Sequence, residues 1–149
     1  MTFKDQMLAQ RLGFFGLIPF IVLATGPWVL YDHTALILQA FGVYSAMILT
    51  FMAGTVWGVR LGYQEPDPGS LLVAAGVAVA AMVSLVLPAR AALVLLAAAF
   101  LLLLQWERRK VFPTLAEDWY PMLRQRLTWT AVACHMIAFL NLWMPPAQG

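Results

Sequence analysis

Polar residues in this chain are confined to a few short clusters. Between them run five apolar stretches, Leu12–Leu30, Thr34–Val59, Ser70–Leu87, Ala91–Trp106 and Leu127–Met144. A hydrocarbon core of about 30 Å takes roughly 20 apolar residues in a helix rising about 1.5 Å per residue, so each stretch predicts a spanning helix. The third and fourth almost merge, interrupted only by Pro88-Ala89-Arg90. A single helix over Ser70–Trp106 would measure about 55 Å, nearly twice the core thickness, so a hairpin with short arms is expected. The pattern predicts an all-α, polytopic five-helix transmembrane bundle in one domain over residues 1–149, with an interfacial loop at 107–126.

Within the second stretch every fourth residue is small: Gly42, Ala46, Thr50, Gly54, Gly58 and Gly62. In lipid, small-xxx-small (GxxxG) spacing lets two helix backbones approach closely, because association there rests on van der Waals contact. A four-residue repeat drifts about 40° per step, so the row wraps about 200° around the helix and implies at least two contacts. Gly42 and Ala46 are expected to serve one, and Gly54, Gly58 and Gly62, beside Trp57 and Arg60, the other. In the first stretch Pro19 removes a backbone donor, so a kink and a freed carbonyl near Phe15 are expected.

Composition agrees: 62% of residues are hydrophobic, 11% are charged and the mean hydropathy is +0.80. These values exclude a soluble domain and leave no separate one to hold a conventional active site. Charge adds a direction. With five spans Lys4, Arg11, Arg60, Arg108, Arg109, Lys110, Arg124 and Arg126 fall on one side and only Arg90 on the other. The positive-inside rule places the N-terminus in the cytoplasm and the C-terminus outside. The net charge of +2 is then a membrane polarity and no sign of nucleic-acid binding. The first apolar stretch is longer than a secretory h-region and has no A-x-A site, and the first forty residues lack serine, so a retained helix in a bacterial inner membrane is expected. The lone Cys134 cannot form an intrachain disulfide.

Three segments resemble a known family: Leu12-Gly-Phe-Phe-Gly-Leu-Ile-Pro-Phe20, Phe51-Met-Ala-Gly-Thr-Val-Trp-Gly58, and Trp119-Tyr120 followed by Leu123-Arg124 and Leu127-Thr128. In order and spacing the chain is similar to the domain-of-unknown-function 3429 family, which includes the animal mitochondrial transmembrane protein sixty-nine. Related sequences often carry a histidine just before the Trp-Gly pair, where this chain has Val56. The resemblance implies an energy-converting membrane and supplies no activity.

Candidate chemistry is sparse. His135 is the ionisable side chain nearest the middle of a span, and such residues are costly and often functional. A neutral imidazole bonded to Ser45, Thr50 or a carbonyl freed by Pro19 is the structural alternative. Haem is not expected: His33 lies about 12 Å away along the membrane normal, and Ala131 stands where a C-x-x-C-H motif needs its first cysteine. Arg60 is expected to snorkel and pair with Glu107 or a lipid phosphate. Arg108, Arg109, Lys110, Trp119, Tyr120 and Arg124 suit the lipid headgroup region, and Thr114 with Glu117 reads as a capping box for a short interfacial helix. The Glu117-Asp118 pair has no nucleophile nearby, so neither catalysis, metal nor cofactor is expected. The leading expectation is a non-enzymatic accessory or assembly subunit of a larger respiratory or photosynthetic membrane complex, surrounded by lipid and other membrane subunits or its own copies. The rivals are a small oligomeric transporter or channel, with His135, Thr50, Ser45, Thr128 and Asn141 along its pathway, and a quinone- or lipid-binding subunit using Trp57, Tyr44 and His135.

Overall fold

A computed structural model describes residues 3–62, 67–115 and 118–143. Its described residues are helical throughout, apart from turns, with no strand. The helices are α1 (Phe3–Phe15), α2 (Ile18–Thr25), α3 (Thr34–Gly62), α4 (Pro68–Ser84), α5 (Ala89–Lys110) and α6 (Trp119–Asn141). The stretches Lys4–Trp28, Tyr31–Gly62 and Ala89–Thr114 are long and apolar enough to cross a membrane, and α4 is a shorter apolar helix.

The proline in the first stretch does more than kink it. The chain turns at Gly16–Leu17 and restarts as α2, with Pro19 in the first turn of the new helix, where its missing N–H costs nothing. The Gly16 carbonyl at the break accepts a 2.8 Å hydrogen bond from the Tyr44 hydroxyl of α3. The stretch from Ser70 to Trp106 folds back on itself as expected, with α4 ending at Ser84 and Pro88 preceding the first residue of α5.

Helix α3 is central, packing against α2, α4 and α5, while α6 closes the bundle against α5 and α2. Its buried residues, Leu38, Phe41, Ser45, Ala46, Leu49, Met52, Ala53 and Val56, form one stripe at helical spacing. The stripe includes only one member of the small-residue row, Ala46. A Cβ built on Gly42, Gly54, Gly58 or Gly62 would meet nothing within 4 Å. Within the described chain no neighbour packs on these glycines: in a row drifting about 40° per four-residue step, Ala46 faces the core and Gly54–Gly62 have rotated away from it. Close backbone approach occurs elsewhere. A Cβ on Gly13 would come within 3.2 Å of Leu127 on α6, and one on Gly69 within 3.3 Å of the Trp106 ring.

The predicted loop at 107–126 is shorter than expected, because α5 continues to Lys110 and α6 already begins at Trp119. Between them lies a 3-10 turn at Phe112–Thr114. The proposed cap partner Glu117 lies outside the described residues.

Asp67 caps α4. Its carboxylate accepts from the Gly69 N–H at 3.2 Å and the Ser70 hydroxyl at 2.6 Å. Ser70 in turn accepts from the Trp106 indole of α5 at 2.9 Å. The hydroxyl of Ser70 above all, then the backbone donors and Arg60, hold the Asp67 carboxyl below the usual carboxylate range. A depressed folded pKa contributes stability above the unfolded value that disappears as pH falls through the folded one. Asp67→Ala should therefore lower the thermal midpoint at neutral pH, and the gap to the parent protein should close below about pH 4. A gap that persists unchanged at pH 3 would remove the carboxylate from this account.

Candidate functional site

Two polar clusters and one groove stand out in an apolar bundle. The first cluster centres on His135 of α6, which is 1% exposed. Its Nδ1 lies 2.7 Å from the Ala131 carbonyl and its Nε2 lies 2.7 Å from the Ser45 hydroxyl of α3. A carbonyl can only accept, so Nδ1 carries the proton and Nε2 accepts from Ser45. Both ring nitrogens of a neutral imidazole are then satisfied. Phe41, Phe100 and Phe20 surround the ring at centroid distances of 4.9, 5.6 and 6.0 Å. Ser45 was one of the three partners expected from sequence, while Thr50 instead bonds the Ala46 carbonyl of its own helix.

The second cluster was not anticipated. Arg124 of α6 and Glu107 of α5 form a buried ion pair, with side chains 4% and 1% exposed. Nε of Arg124 donates to Glu107 at 2.8 Å and Nη2 does so at 2.9 Å, a fork-on-carboxylate arrangement. Nη2 also reaches the Met52 carbonyl of α3 at 3.5 Å. Two expectations are corrected here. Arg124 does not face the lipid headgroups, and Glu107 does not pair with Arg60. Glu107 continues the buried stripe of Leu96, Phe100 and Leu103 on α5, and Arg124 shares a stripe with Thr128, Ala131 and His135 on α6, so the two meet inside. Arg60 bonds the Lys110 carbonyl and sits 3.6 Å from Asp67 instead.

The groove has a volume of about 470 Å³, within the usual range for small-molecule sites. Its walls are Leu12, Gly13, Gly16 and Leu17 around the break in the first stretch, Ile48 to Thr55 on α3, and Trp119 to Ala131 on α6. Phe20 and Phe100, which also contact His135, line it too. Its polar groups are few: Arg124, Thr55 and Tyr120, whose hydroxyl donates to Thr55 Oγ1 at 3.2 Å. Sequence reading placed Tyr120 at the interface and missed that the break at Pro19 opens a space beside it.

The remaining candidates lie apart. Arg108, Arg109 and Lys110 are exposed at the end of α5, and Trp119 and Tyr120 are half-buried. Trp57 is exposed on α3 beside Gly58, away from the groove. Tyr44 is engaged with the Gly16 carbonyl, so Trp57, Tyr44 and His135 do not converge on one pocket. His33 is exposed in a 3-10 turn. Among the described residues no group of three or more His, Cys, Asp or Glu side chains is placed to hold a metal ion.

The family model described as "Protein of unknown function (DUF3429)" matches residues 6–140. No curated protein and no solved structure matches the chain.

Proposed function

The chain belongs to the DUF3429 family of proteins of unknown function, and from that premise we propose that it is a non-enzymatic accessory or assembly subunit that packs against a larger membrane complex. The observation that carries this reading is the outer face of α3. Gly54, Gly58 and Gly62 are spaced for close helix contact, yet no element of the described chain covers them. A helix from another subunit, or a second copy, would fit that face.

The five-crossing topology belongs to the same reading, with its N-terminus in the cytoplasm of a bacterial cell and its C-terminus outside. Arg60, Asp67 and Lys110 gather at one end of the bundle. Arg90 donates to the Leu142 carbonyl and lies 5.7 Å from the Trp143 ring, joining the turn before α5 to the end of α6. These contacts support opposite ends for the eight-cation and one-cation groups.

Several polar side chains considered for a transport pathway are spent on protein acceptors. Asn141 donates to the Ala24 carbonyl, Thr50 to Ala46, and Ser45 to His135. That favours packing over conduction.

Gly58→Leu is the test. The variant should insert to parental levels but lose co-migration with a larger assembly on native gels of mildly solubilised membranes. A parent protein that runs as a lone monomer both in mild detergent and in native membrane nanodiscs would sink the proposal.

A further inference from the structure

The groove beside the α1–α2 break has an asymmetry that a packing defect does not require. Its body is apolar, and one charged side chain reaches it. Arg124 is 4% exposed, and its hydrogen bonds leave from Nε and Nη2 only. Among the described residues the one side-chain nitrogen or oxygen that is both fully buried and unbonded is Nε of Arg60. Nη1 of Arg124, which makes no hydrogen bond, is therefore not fully buried, and Arg124 is among the residues that line the groove.

A guanidinium N–H in an apolar groove calls for an acceptor. The acceptor's charge is constrained by Glu107, whose carboxylate already neutralises Arg124 at 2.8 Å. An anionic head such as a phosphate would bring a second negative charge against that buried carboxylate. A neutral carbonyl oxygen meets the requirement without it. The Tyr120 hydroxyl lies on the same wall, and its one proton, held to Thr55 by a long 3.2 Å bond, can turn from Thr55 to a ligand oxygen.

The shape of the site narrows the class further. Trp119 and Tyr120 stand on the same wall as Arg124, and Phe20, Phe51 and Phe100 line the rest. Aromatic side chains beside a donor suit a planar conjugated ring. Leu12, Leu17, Ile48 and Leu127 offer an apolar track for a hydrocarbon tail.

We propose that this groove binds an isoprenoid quinone, with a ring carbonyl on Nη1 of Arg124 and the Tyr120 hydroxyl, the ring among the aromatic side chains and the tail along the leucines. The site uses none of the α3 glycine face, so it stands or falls separately from the docking proposal.

The test titrates decylubiquinone into the purified full chain in detergent micelles and follows quenching of tryptophan fluorescence. The parent protein should show saturable quenching, and Trp119→Phe should lose most of its amplitude. Tyr120→Phe should weaken binding about 5–10-fold, the loss expected for one hydrogen bond to a neutral acceptor. Ala9→Phe, which adds a ring to the groove wall, should abolish saturation while circular dichroism and the thermal midpoint stay parental. If Ala9→Phe fails to fold, the Tyr120→Phe and Trp119→Phe titrations carry the decision. Non-saturable quenching, quenching indifferent to Tyr120→Phe, or reversal of the quenching by an equimolar addition of phosphatidylglycerol would overturn the assignment.

Discussion

Arg124→Leu should destabilise the protein by about 3–5 kcal/mol, the loss found when one partner of a buried ion pair is removed. The cost comes mainly from what is left behind. Glu107 is 1% exposed, and Arg124 supplies its side-chain donors in the described structure. With that partner gone the carboxylate must take up a proton or draw water into the bundle. Glu107→Leu alone strands the guanidinium in the same way. The double variant Glu107→Leu/Arg124→Leu should recover most of the loss, because apolar residues of similar volume replace a buried pair at little net cost. Denaturant-driven unfolding in mixed micelles, run as a double-mutant cycle, checks this. Additive losses in the double variant would mean that the two side chains act independently.

The second large effect is expected at His135. His135→Ala removes a ring packed among Phe20, Phe41 and Phe100 and leaves the Ser45 hydroxyl without its acceptor. Cavity and lost hydrogen bond together should cost about 2–4 kcal/mol. His135→Phe keeps a ring in the cage and should cost less than His135→Ala. Ser45→Ala should cost about 1–2 kcal/mol, leaving Nε2 unpaired. A cycle between Ser45→Ala and His135→Phe isolates the hydrogen bond itself. If His135→Ala left unfolding unchanged, the ring would have no structural role, and a role in proton or ligand handling would become the better account.

Much of the architecture was legible because the bilayer-length runs and the proline punctuation are strong signals. Pro88 divided the long apolar run correctly, and Pro19 marked the break near Gly16. His135 was legible as costly, and Ser45 as a partner, because a polar group in an apolar run has few places to go. Burial direction was harder to read. In a chain that is 62% hydrophobic both faces of a helix are apolar, so the contrast that marks a buried face in a soluble protein is weak. The glycines of α3 illustrate this, since their spacing predicts a contact and their orientation turns them away from the rest of the bundle. Arg124 shows the converse. Counting cations assigns a side of the membrane and ignores depth, whereas Arg124, Thr128, Ala131, His135 and Ala138 recur at alternating intervals of four and three along one face of α6. That period could have placed Arg124 inside. Glu107 follows the same rule on α5, four residues from Leu103 and seven from Phe100.

The two-residue turn at Gly16–Leu17 also divides the lining of the groove between two parts of the chain. Backbone bonds from the Gly16 N–H to the Leu12 carbonyl and from the Leu17 N–H to the Phe14 carbonyl carry α1 into the turn, and α1 meets α6 at Gly13 through Leu123 and Leu127. One wall of the groove is thus carried by α1, while the other walls belong to the core of α3, α5 and α6. Arg124, Phe20 and Phe100 belong both to the groove and to the buried clusters, so the α1 side of the groove is the part whose composition can change with least effect on the packed core.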